Sequence, residues 1–142
     1  MDPQALLARR RLRFALRELL LVAGGAVPGA LLRWQVGVHL GPRLGGDAAA
    51  NLLVNLVGSF LLGVLAGPIP YRTTLLLWLG IGFCGSLTTF SSWMLDVMRL
   101  LQSQQPWQAL GLLVASLVLG LGCAALGLAC SPHLVRRARA AE

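Results

Sequence analysis

Gly82-Phe-Cys-Gly-Ser-Leu-Thr-Thr-Phe-Ser-Ser-Trp93 is the stretch on which the reading of this chain turns. It lies inside an apolar run, residues 73–101, long enough to cross a bilayer. Glycines, hydroxyls and aromatics stand there where a plain spanning helix carries leucines. Backbone that unwinds at membrane depth is tolerated only when it is buried in protein or lines an aqueous path. Freed carbonyls and hydroxyls at such breaks are where transport proteins build ion sites. The stretch points to ion handling.

Working outward, composition agrees. The 142 residues are 56% hydrophobic and 12% charged, whereas soluble domains carry about 25% charged residues. Mean hydropathy is +0.73. A spanning helix needs roughly 20 apolar residues, and four segments qualify: about 19–40, 48–67, 73–101 and 107–130. Short connections make these one all-α, four-helix membrane domain over residues 19–130. A basic N-terminal tail (1–18) and a basic C-terminal tail (131–142) flank it.

Arg9, Arg10, Arg11, Arg13 and Arg17 before an apolar run resemble the start of a signal peptide. Pro28 and Arg33 suit the start of a mature soluble chain poorly, so a first spanning helix is the better reading. Four spans put both termini on one side, together with Arg136, Arg137, Arg139 and the Arg72 loop. The opposite loops hold Arg43 and Arg99, offset by Asp47 and Asp96. The positive-inside rule then places both termini in the cytoplasm. These flanks account for the net charge of +7, so basic tails do not demand nucleic acid.

Enzymatic chemistry finds no support. Cys84, Cys123 and Cys130 lack metal-ligand spacing and read as small hydrophobes, and His39 and His133 sit at helix ends. There is no nucleophile–base set and no phosphate loop. The acidic residues Asp2, Glu18, Asp47, Asp96 and Glu142 all avoid the middle of a span. Proton-coupled carriers usually need an ionisable group inside the membrane.

The helix faces carry the remaining signal. Gly25 and Gly29 have the spacing that lets helices approach closely, and Pro28 between them should kink the helix unless neighbours restore the lost bond. Arg33 either snorkels to the interface or faces a wet cavity that attracts an anion. Asn51, Asn55 and Ser59, four apart, share one side of the second helix. Such a row ties helices together or lines a pore; beside a broken helix, a pathway is favoured. In the third helix, unwinding around residues 85–88 would free carbonyls for a small hard cation. Phe90 and Trp93 are near neighbours on one face, and ring edges are positively polarised, so they can meet an anion without formal charge. Simple packing is the bland reading of the same rings.

Three segments together resemble the Fluc fluoride-channel (CrcB-like) family. They are Gly24-Gly-Ala-Val-Pro-Gly-Ala-Leu-Leu-Arg-Trp34, Asn51-Leu-Leu-Val-Asn-Leu-Val-Gly-Ser-Phe-Leu-Leu-Gly63 and the stretch Gly82 to Trp93 quoted above. The resemblance implies a dimer of two four-helix subunits in opposite orientations, a third helix broken at midspan and two fluoride pathways. It also implies a structural sodium ion (Na+) at the dimer centre, held by the backbone carbonyls of Gly85 and Thr88. Asn55 matches the amide that donates to fluoride and Phe90 the first ring of an aromatic box. Ser91 and Ser92 match the hydroxyl region following the break, with Thr89 beside them in the expected pathway; Ser116 resembles a fourth-helix serine near the path, and Arg33 matches the arginine of the aqueous vestibule. The implied location is a bacterial plasma or inner membrane.

Two positions depart from the family pattern. Trp93 stands where a second phenylalanine is usual, and Ala50-Asn51 where Gly-Thr is frequent. Trp keeps a polarised edge and adds an N–H donor, so both Trp93 and Asn51 stay in the expected pathway. The charge asymmetry of the loops leaves a heterodimer with an oppositely oriented paralogue beside the homodimer. A small proton-coupled multidrug exporter and a non-transporting membrane assembly protein are the competing functions.

Overall fold

The computed structural model describes residues 3–67 and 73–140, without side-chain detail at residues 3, 5, 6 and 133–140. Arg72, Asp2 and Glu142 lie outside the described residues, as do the side chains of Arg136, Arg137 and Arg139. The elements among the described residues are all helical: α1 Pro3–Leu44, α2 Asp47–Leu65, α3 Thr73–Leu75, a π-wound segment Leu76–Cys84, α4 Gly85–Leu87, α5 Ser91–Gln102 and α6 Pro106–Ala140. Among the described residues, four stretches are long and apolar enough to span: Leu7–Leu44, Asp47–Leu65, Thr73–Gln102 and Pro106–Pro132.

The turns are chemically specified. Gly45 (φ 91°) and Gly46 (φ 133°) reverse the chain between α1 and α2 in backbone conformations that L side chains avoid. After α5, Gln104 takes the left-handed conformation (φ 58°). Gln105 N then donates to Leu100 O at 2.9 Å and Gln104 N to Leu101 O at 3.1 Å. This is the Schellman pattern, here closed without glycine.

Close approach of backbones sets the bundle. α1 packs mainly along the π-wound segment and also against α2 and α4, and α2 packs mainly along α6. A Cβ at Gly25 would run into the Trp78 carbonyl, and one at Gly29 into Ser86 Oγ and the Phe83 carbonyl. The packing reading of both glycines holds. Across the bundle, Gly63 admits the Ala124 backbone and Gly127 admits that of Phe60. In lipid, where water drives no apolar association, such small-residue contacts are the main adhesive. α1 stays one helix through Pro28. Its 42 residues measure about 63 Å at roughly 1.5 Å per residue, twice a hydrocarbon core of about 30 Å. The arginine-rich end thus continues the first span as helix, and Arg17 Nη2 donates to Thr74 Oγ1 at the start of the third (3.2 Å).

One expectation shifts. The sequence placed unwinding at residues 85–88, but Gly85–Leu87 is helical and Gly85 itself has φ −64°, ψ −31°. The helical path is left at Thr88 (φ −74°, ψ 153°) and resumes at Ser91. Glycine permits unwinding without imposing it; what opens the chain here is a side chain of α2.

Candidate functional site

Asn55, on α2, provides that side chain. Its Oδ1 accepts from Thr89 N at 2.7 Å and its Nδ2 donates to Thr89 O at 3.0 Å. A continuous helix would send Thr89 N to Gly85 O; the amide takes its place. Thr89 is buried (6% exposed), so both backbone groups need partners away from water. Ser92 N caps the restart by donating to Thr89 Oγ1 (3.2 Å), and Thr88 Oγ1 donates to Cys84 O (2.9 Å).

Beside this interruption lies a groove of about 420 Å³ whose lining includes Asn55, Ser59, Phe90, Trp93 and Ser116. Phe90 and Trp93 have ring centroids 5.6 Å apart with planes inclined by 54°. Trp93 Nε1 donates to Ser116 Oγ at 2.9 Å, and Ser116 Oγ donates to Leu112 O at 2.6 Å. A second cavity, about 540 Å³, is bordered by Arg33, Trp34, Asp47, Asn51 and Ser92. Arg33 Nη1 donates to Thr88 O at 3.3 Å, so the guanidinium turns toward the bundle. Among the described residues it has no carboxylate partner.

The expected site residues therefore fall into two connected groups. Asn55, Thr89, Phe90, Trp93 and Ser116 meet at the groove; Arg33, Asn51 and Ser92 meet at the second cavity. The row Asn51–Asn55–Ser59 runs from one to the other along α2. Ser91 is exposed at the start of α5 and borders neither space.

Sequence reasoning missed Asp96. Assigned to a loop, it is instead a residue of α5 and only 5% exposed. Its Oδ2 accepts from Asn51 Nδ2 at 2.7 Å and its Oδ1 from Arg99 Nη1 at 3.3 Å. Arg99 also approaches Asp47 at 3.8 Å. The available signal was the Asp96–Arg99 spacing of three, which pairs charges on one helix face.

The oxygens suggested for sodium suit it chemically. Gly85 O is released from the helical ladder by the Asn55–Thr89 exchange, and backbone carbonyls are hard, neutral ligands. Thr88 O keeps a lone pair beyond the one facing Arg33.

Four apolar spans among the described residues, with an uncharged polar row along the second and an interruption in the third, define a small multi-pass membrane protein. The chain belongs to the CrcB-like family: residues 20–128 match the model described as CrcB-like protein, Camphor Resistance (CrcB). It is 56% identical over 120 residues to the fluoride-specific ion channel FluC 2 of Synechococcus sp. (strain CC9902), covering 84% of this chain and 83% of that protein. Over 117 residues it is 59% identical to FluC 2 of Parasynechococcus marenigrum (strain WH8102), covering 82% of each. That organism's fluoride-specific ion channel FluC 1 is 37% identical over 113 residues, covering 78% of this chain and 90% of the relative.

Proposed function

We propose that this chain is a fluoride-selective ion channel through which fluoride leaves the cytoplasm passively, down its gradient. The observation that carries this reading is the row of neutral donors on α2 set against the interrupted third span, in a chain whose relatives are named for fluoride conduction. Fluoride is small and firmly hydrated, so a path must replace water's hydrogen bonds with closely spaced donors. Amides, hydroxyls and ring edges are such donors. Conduction also requires that the ion leave again, which a ring of fixed cations would hinder. Arg33, with no carboxylate partner among the described residues, borders the second cavity and reaches Thr88 O, where its charge would draw anions toward the interruption.

The working unit in this proposal is an antiparallel dimer, and the interruption then lies at midspan. The exposure of Gly85 and Phe90 on the single chain supports it; two copies would bring four such carbonyls to a central sodium ion. Gly85 O and Thr88 O would hold the ion, which would supply a fixed positive charge near the path. Replacing sodium by a large organic cation should then lower the unfolding temperature of the purified protein. A self-pair is favoured; the FluC 1 and FluC 2 of one relative's organism keep a paralogue pair in view.

Asp96 gives the proton-coupled exporter its one foothold, a buried carboxylate in the third span. Its engagement by Asn51 and Arg99 favours a structural role over proton carriage. The deciding experiment is ion efflux from liposomes containing this polypeptide purified alone. Fluoride release far above chloride release is expected; equal leakage of both, or release driven only by a proton gradient, rejects the channel.

A further inference from the structure

Several donors that border the groove are already engaged. Asn55 Nδ2 serves Thr89 O, Thr89 N serves Asn55 Oδ1, and Thr88 Oγ1 serves Cys84 O. An ion that draws on any of these must displace an internal bond. Those three all end on the backbone that forms the interruption, so breaking them disturbs the fold itself. The bond from Trp93 Nε1 to Ser116 Oγ differs, because it joins two side chains with free torsions.

We propose that the indole N–H of Trp93 is a fluoride donor held in reserve on Ser116 and handed to the ion by exchange of acceptors. This inference rests on the channel reading above. The hydrogen stays on the indole nitrogen throughout; only its acceptor changes, from a hydroxyl oxygen to fluoride. A charge-assisted bond replaces a neutral one, which favours the exchange. Ser116 still donates to the Leu112 carbonyl at 2.6 Å, so the exchange frees a lone pair and orphans no buried donor. When the ion moves on, the same hydroxyl receives the N–H again. A tryptophan in this place thus adds a directional, strong donor to the ring edges of Phe90 and Trp93, and a phenylalanine has none to add. Such a donor discriminates for the harder, more basic halide.

The test uses the full chain, labelled at the indole nitrogens and held in lipid nanodiscs, titrated with sodium fluoride and separately with sodium chloride. The sequence has four tryptophans, Trp34, Trp78, Trp93 and Trp107, and Trp93→Phe assigns the resonance of interest. Fluoride should move the Trp93 indole signal in a saturable way while chloride does not. Ser116→Ala, which removes the competing acceptor, should lower the half-saturating fluoride concentration about tenfold, equivalent to about 1.4 kcal/mol. Ser116→Thr keeps the hydroxyl and should saturate as the unmodified chain does. A Trp93 signal indifferent to fluoride, or equal saturation in the alanine and unmodified chains, overturns the proposal. Liposomes from the same preparation separate the two readings. Fluoride-selective release with a still Trp93 signal rejects the exchange alone, and absence of selective release rejects the channel and the exchange with it.

Discussion

Asn55 and Thr89 satisfy each other twice: the amide accepts the threonine's backbone N–H at 2.7 Å and donates to its carbonyl at 3.0 Å. One side chain of α2 thereby stands in for a missing helical turn in the third span. Asn55→Leu should cost at least about 2 kcal/mol, since two buried backbone groups lose their partners. Asn55→Asp should keep the bond to Thr89 N while setting a charged oxygen against Thr89 O. Thermal unfolding in detergent, run beside fluoride efflux, checks both. A leucine variant as stable as the parent would show that the amide does not hold the interruption.

Arg33 reaches Thr88 O and pairs with no carboxylate among the described residues. Arg33→Gln keeps a donor of similar reach but removes the charge. Fluoride efflux should fall about tenfold at low ionic strength, the lower end of electrostatic focusing. The deficit should shrink as salt screens the parent's field. Flux measured across a salt series decides; a deficit independent of salt would mean that the arginine acts through structure alone.

Asp96 anchors Asn51 on one oxygen and Arg99 on the other. Asp96→Ala leaves an amide and a guanidinium short of an acceptor and should destabilise by about 2 kcal/mol. Asp96→Asn, which retains an oxygen acceptor, should cost less than half as much. A double-mutant cycle of Asp96→Ala with Asn51→Ala should show a coupling of about 1 kcal/mol. Additive effects would break the link between the two side chains.

Gly25 and Gly122 make a matched pair of tests on helical glycines. A methyl group at Gly25 would strike the Trp78 carbonyl, whereas one at Gly122 meets nothing within 4 Å. Gly25→Ala should therefore cost about 1–3 kcal/mol through overpacking. Gly122→Ala should be neutral or should stabilise by about 0.5–1 kcal/mol through helix propensity. Yield of monodisperse protein and unfolding temperature report both; equal behaviour of the two variants would discredit the close approach of α1 to the π-wound segment.

Much of this was legible in the residues. The four spans follow from apolar length, and the α1 contact follows from Gly25 and Gly29. The position of the interruption was off by a few residues. Helix propensity identifies where glycines weaken a helix, but the opening occurs where Asn55 captures a backbone donor thirty-four positions away. The burial of Asp96 was invisible for a related reason: a charged residue near a helix end reads as solvated unless its partner is known. Its partner, Asn51, had been assigned to a pathway. Ser91 is exposed and borders neither cavity of the single chain, since adjacency in a motif does not place a side chain on the same face as its neighbours.

The π-wound stretch Leu76–Cys84 has a bearing on how this span is divided. Gly85 N reaches back five residues to Gly80 O instead of four, so the angular phase set by Thr73–Leu75 is not carried unchanged to α4. The seam that grips α1 and the rim that carries Thr88 to Trp93 are thereby uncoupled in azimuth although they belong to one strand of chain. Changes that tune adhesion between helices can accumulate in the first half without re-aiming the donors in the second.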